Sequence, residues 1–193
     1  MRKKKSKMGH VRHRHKVALL VIDMLNTLQF SGSGKLLRYA LPAARAIARL
    51  KKKLKIAKIP IIYVNDNFGL WRSDWRTVFE TCSSKKSKGA QLSQILEPLE
   101  DDYFVLKPKH SGFYSTTLDV LLESLGAETL IMTGIAANIC VLFTVNDAHM
   151  REYKVIVPRD CVASNTKADT RYAIRQIRDV FGFQTCLSTA IKF

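Results

Sequence analysis

Short runs of apolar residues that stop abruptly on a polar residue or a glycine constrain this chain more than any other feature. Val17-Ala-Leu-Leu-Val-Ile22 is apolar at every position, the pattern of a strand covered on both faces, and it ends on Asp23. Tyr103-Phe-Val-Leu106 ends on Lys107, with Pro108 just after it. Glu128-Thr-Leu-Ile-Met-Thr-Gly134 stops at a glycine, and Ile135-Ala-Ala-Asn138 then turns the chain into residues 139–150. That last stretch has helical length and an apolar face, with Cys140 in its first turn. Between these runs the pattern alternates. Residues 36–58 read as a long basic amphipathic helix with Leu41, Ala44, Ile47, Ala48 and Leu54 at helical spacing, and Pro60 precedes a strand at 61–64. Further helices are expected at 91–99, at 117–125 before Gly126, and at 168–181 before Gly182. Strands are expected at 155–157 and somewhere in 183–191. Repeated βα units favour a single α/β domain of three layers, a mostly parallel sheet between helices.

Ligand sites in an open parallel sheet form outside the carboxyl ends of the strands, so Asp23, Lys107 and the Cys140 turn are expected at one edge. A carboxylate near a thiol can serve as its general base, and an ammonium can stabilise the anion that forms. A thiol in the first turn of a helix faces unpaired N–H groups and the positive end of the helix dipole, so its pKa is expected to be lowered. Each residue also has a plainer role open to it: Asp23 as a helix cap, Lys107 as a solvated strand end, Cys140 as a small core residue.

Three stretches in order, Val21-Ile-Asp-Met-Leu-Asn26, Lys107-Pro-Lys-His-Ser-Gly-Phe113 and Gly134-Ile-Ala-Ala-Asn-Ile-Cys-Val141, resemble the isochorismatase-like cysteine hydrolases. That superfamily includes nicotinamidases and N-carbamoylsarcosine amidohydrolases, and the resemblance runs from about residue 17 to about residue 188. It implies a six-stranded sheet, an Asp23–Lys107–Cys140 triad, an oxyanion hole from the N–H groups of Ala136 and Cys140, and a cis peptide between Ile135 and Ala136. In the implied reaction Asp23 takes the thiol proton, Cys140 attacks a carbonyl, and Asp23 then serves the leaving amine and the hydrolytic water. The resemblance also implies a small-molecule substrate, a homo-oligomer (dimer or tetramer) and no cofactor.

One departure narrows the chemistry. Nicotinamidases carry a metal site built from an aspartate, a histidine two residues on and a second histidine nearby. Here Asp66 is followed by Phe68 at that spacing, and no histidine occurs between His15 and His110. An aspartate without imidazole partners is a poor transition-metal site, so no metal is expected. Isochorismatases proper cleave a vinyl ether and generally lack the cysteine. Retaining Cys140 points to an amide or ureido C–N bond, with a vinyl-ether hydrolase as the alternative. Expected around the substrate are Asp66, Asn67, Phe68, Trp71, Phe113 and Ala137. Asp66 and Asn67 either bond substrate or turn the chain. Phe30, Phe113 and Tyr114 are open between pocket and core, and Trp75 between pocket wall and subunit interface. Cys82, Cys161 and Cys186 are expected to be inert, and His110 and His149 structural.

Hydrophobic residues make up 47% of the 193, with no apolar run near membrane-spanning length, so no membrane segment is expected. Four scattered cysteines without CxxC spacing suit reduced thiols in a cytoplasm. The formal net charge is +16, and residues 1–16 hold eight basic residues and no acid, half of that excess. We read 1–16 as a basic disordered tail and 17–193 as the hydrolase domain. The tail is either a solubilising extension or an arm for weak, non-specific nucleic-acid binding, and a non-catalytic scaffold working through it is the alternative from a different class.

Overall fold

The structure, a computed structural model, describes residues 16–192. The sheet is built from β1 (Val17–Ile22), β2 (Ile61–Asp66), β3 (Tyr103–Lys107), β4 (Thr129–Ile135), β5 (Lys154–Pro158), β6 (Val162–Ala163) and β7 (Gln184–Cys186). The strands run in the order β3-β2-β1-β4-β5-β7, every pairing is parallel, and β6 pairs with β4. Seven strands rather than six are therefore present among the described residues. β6 has only two residues, too few to show a period in the sequence.

Period two along the strands sends alternate side chains to opposite helical layers. Leu19 and Val21 join one cluster with Leu36, Ala40, Ile47 and Leu54 of α1 (Ser33–Ile56), Val78 of α2 (Trp75–Ser83) and Leu92 of α3 (Ala90–Ile95). Ala18, Leu20 and Ile22 join the other with Leu118 and Leu122 of α4 (Leu118–Leu125), Val145 of α5 (Leu142–Met150) and Ala173 of α6 (Lys167–Arg175). Burial on both faces explains why β1 has no polar residue.

Local signals set several boundaries. α4 ends at Gly126, which adopts φ 63°. Thr166 caps α6 by accepting from the Asp169 N–H at 3.0 Å. α2 has no counterpart among the helices expected from the sequence; Asp74 caps it, accepting from the Thr77 N–H at 2.9 Å. α1 departs from a simple basic surface helix at Lys51, which is buried. Its ammonium meets Asp102 at 2.6 Å, the Tyr63 hydroxyl at 2.8 Å and the Glu97 carbonyl at 2.9 Å. Removing one partner of such a buried pair costs about 3–5 kcal/mol, because the remaining charge stays uncompensated.

Residues 1–15 of the basic tail lie outside the described residues. Lys16 does not behave as tail. Its carbonyl accepts from the N–H groups of Glu128 and Thr129, and its ammonium meets the Glu128 carboxylate at 2.5 Å. No described helix is long and apolar enough to cross a membrane.

Candidate active site

β1 leads to β2 and β3 on one side, and the chain returns to place β4 on the other. The carboxyl ends of β1 and β4 therefore form the point at which strand order reverses, the usual place for a ligand crevice. Gly134 makes this junction possible. It pairs with Ile22 at φ 120°, and a Cβ there would lie 2.0 Å from the Ile22 carbonyl oxygen. Beyond it the Ile135–Ala136 peptide is cis. A π turn, Ala137–Val141, then runs directly into α5, with the Val141 N–H reaching the Ala136 carbonyl at 3.2 Å.

Asp23 stands at the end of β1 with a left-handed backbone, φ 51°, and is almost fully buried. One carboxylate oxygen accepts from the Asp66 N–H at 2.8 Å, and the other meets the Lys107 ammonium at 2.8 Å. Lys107 comes from β3, two strands away across gaps of roughly 4.8 Å each, so only a long side chain can reach Asp23. It is wholly buried, and its ammonium also donates to the Lys109 carbonyl at 3.1 Å. Cys140 completes the group: its Sγ lies 3.8 Å from Lys107 Nζ, and the Asp23 carboxylate acts electrostatically on its thiol.

Burial drives up the pKa of Asp23, against the lowering pull of Lys107. For Lys107 burial acts downward, but the charges of Asp23, Cys140 and Asp66 outweigh it and the net direction is up. The Cys140 thiol is pushed up to about 12, first by burial and then by the Asp23 carboxylate, with Lys107 opposing. This reverses the expectation of a lowered thiol pKa. The helix-start argument holds for an exposed thiol, whereas this one is enclosed beside a carboxylate. The protonated thiol is therefore favoured over the thiolate, and Asp23 is the group placed to take its proton.

An unusual labelling result is expected from that electrostatics. In Asp23→Asn the group that raises the thiol pKa loses its charge while Lys107 stays, so the Cys140 pKa falls. Iodoacetamide should then label Cys140 faster at pH 7 than in the parent. Equal or slower labelling would mean that Asp23 does not set the thiol's charge. Cys82 and Cys161 are fully buried, with thiols likewise pushed up to about 12, and should stay unlabelled in the folded protein.

These residues open onto a cleft of about 370 Å³ lined by Asp23, Asn26, Phe30, Leu36, Asp66, Phe68, His110, Ile135, Ala136, Ile139 and Cys140. Of the expected substrate contacts, Asp66 and Phe68 are in the wall. Asn67 is buried outside it, accepting from the Gly69 N–H at 2.9 Å. Phe113 packs in the core against Tyr153, and Ala137 is buried in the same cluster. Trp71 is 79% exposed and lines a separate groove with Leu70 and Arg72. Its aromatic character suggested a pocket, but Phe68 and Gly69, both at positive φ, turn the chain between Asp66 and Trp71. Phe30 resolves to the cleft. Leu36, Ile139 and His110 were not foreseen there, and His110 had a usable signal, being three residues after Lys107.

The isochorismatase domain model matches residues 17–189, spanning all seven strands and every element of this site. The chain belongs to the isochorismatase family. This isochorismatase-family hydrolase is 42% identical over 163 residues to the uncharacterized isochorismatase family protein YaaI of Bacillus subtilis, covering 84% of the chain and 89% of the relative. It is 41% identical over 93 residues to the ureidoacrylate amidohydrolase RutB of Methylorubrum extorquens, covering 48% of the chain and only 38% of that enzyme. Its fold is similar to that of the N-carbamoylsarcosine amidase of Thermoplasma acidophilum, with a TM-score of 0.67 and 27% identity over 92% of this chain and 99% of the other.

Proposed function

We propose that this hydrolase is a cysteine amidohydrolase that opens an amide or ureido C–N bond of a small molecule through a thioester on Cys140. One observation carries the reading: Cys140 Sγ lies 3.8 Å from the Lys107 ammonium, which meets the Asp23 carboxylate at 2.8 Å, and Asp23 and Cys140 line one small cleft. Asp23 takes the thiol proton as sulfur attacks the carbonyl carbon. The N–H groups of Ala136 and Cys140 hold the oxyanion, and Lys107 favours the ionised form of Asp23 against burial and offsets the developing negative charge. The C–N bond breaks, the amine leaves protonated, and water hydrolyses the thioester. The similarity to a ureidoacrylate amidohydrolase and an N-carbamoylsarcosine amidase favours a ureido or carbamoyl group as substrate. A vinyl ether offers no carbonyl carbon for Cys140, which counts against that alternative.

The test is a panel of small amide and ureido compounds, with ammonia release and a trapped thioester on Cys140 as readouts. Cleavage of a vinyl ether, with no ammonia from any amide or ureido compound, would overturn the reading. Hydrolysis is expected to survive exhaustive chelation, because the described residues contain no group of three His, Cys, Asp or Glu side chains placed to hold a metal. Activity lost on chelation and restored by zinc or manganese would contradict this.

A further inference from the structure

We propose that His110 is a second acid–base residue of this site, delivering the proton to the leaving nitrogen and then taking one from the hydrolytic water. The proposal rests on the cysteine amidohydrolase reading above.

Two observations on placement support it. Asp23 sits at the floor of the cleft, 5% exposed, with both carboxylate oxygens already engaged by Lys107 and the Asp66 N–H. A leaving amine, however, must depart toward solvent. His110 lies on that side: it lines the same cleft, is exposed, and holds Nδ1 3.9 Å from Cys140 Sγ. Its position is built in. The loop carrying it is tied to α5 by Ser111 bonded to Asp147 and by the Gly112 N–H donating to Thr144 at 3.0 Å, and the imidazole packs on Phe143 with ring centroids 5.6 Å apart.

The protons balance over one cycle. Asp23 takes the thiol proton while the S–C bond forms. As the C–N bond breaks, the nitrogen takes a proton from His110 Nδ1–H, leaving the imidazole neutral. Water then attacks the thioester and gives a proton to Nδ1. The departing thiolate recovers its own from Asp23, and every group returns to its starting state.

Leaving-group dependence separates this role from a structural one. An amide nitrogen needs a proton to leave, whereas p-nitrophenolate does not. In single-turnover acylation, His110→Gln is expected to slow an amide or ureido substrate by about 10²-fold or more while leaving p-nitrophenyl acetate within about threefold of the parent. Equal slowing of both substrates, or of neither, would overturn the proposal. His110→Asn serves as a second variant should His110→Gln fold poorly, and added imidazole should restore part of the amide rate in either. Single-turnover p-nitrophenol release by the parent, lost in Cys140→Ala, reports separately on the thioester reading. If the parent releases no p-nitrophenol, or Cys140→Ala releases it as fast, the nucleophile assignment has failed rather than the role of His110.

Discussion

Cys140→Ala should abolish turnover of amide substrates, and Asp23→Asn should lower it by about 10⁴-fold with little change in fold. In the proposed mechanism the first removes the sulfur that carries the thioester. The second keeps the shape of the side chain and removes its capacity to take a proton, while the burial and hydrogen bonds around position 23 stay in place. Asp23→Asn is the more informative variant, because two readouts must move in opposite directions. Turnover falls because the base is gone, and alkylation of Cys140 rises because the carboxylate no longer opposes the thiolate. A variant that lost both would have lost the geometry of the site, which circular dichroism and thermal melting would reveal. Residual turnover near the parent's would mean that another group takes the thiol proton.

Gly134→Ala is expected to destabilise the protein by about 4 kcal/mol or more, which for a chain of this size lowers Tm by roughly 8–16 °C. The added Cβ would meet Ile22 backbone atoms at 2.0 and 2.8 Å, so β1 and β4 would have to separate at their carboxyl ends. Close-packed backbone cannot swing aside as a flexible side chain can. Gly182→Ala provides the comparison. That glycine also has a positive φ, 69°, but a Cβ there would have nothing within 4 Å, so only the backbone penalty of about 1–2 kcal/mol applies. Thermal denaturation of the two variants beside the parent decides the matter. Similar melting temperatures would show that the β1–β4 junction tolerates separation. Because Asp23 and the Cys140 turn leave from those same strand ends, activity in Gly134→Ala should fall even where the fold persists.

Local signals in the sequence were enough for the strand ends that carry Asp23, Lys107 and Cys140, for the parallel sheet between helices, and for the glycine that ends α4. These depend on hydrophobic period and on turn residues within a few positions, which a linear reading can see. β6 and α2 escaped it for opposite reasons: two residues are too few to show a period, and the cap at Asp74 was hidden among aromatic and charged neighbours. The walls of the cleft were less legible. Asn67, Trp71, Phe113 and Ala137 have suitable chemistry at suitable positions, yet the turn after β2 and the core claim them, while Leu36 and Ile139 enter the cleft from elements far apart in the chain. The direction in which the Cys140 pKa moves depends on tertiary structure. Its helix start is a local feature and argues for a thiolate. Its partial burial and the approach of Asp23 across the β1–β4 junction are non-local, and desolvation with a facing carboxylate outweighs the dipole of a single turn.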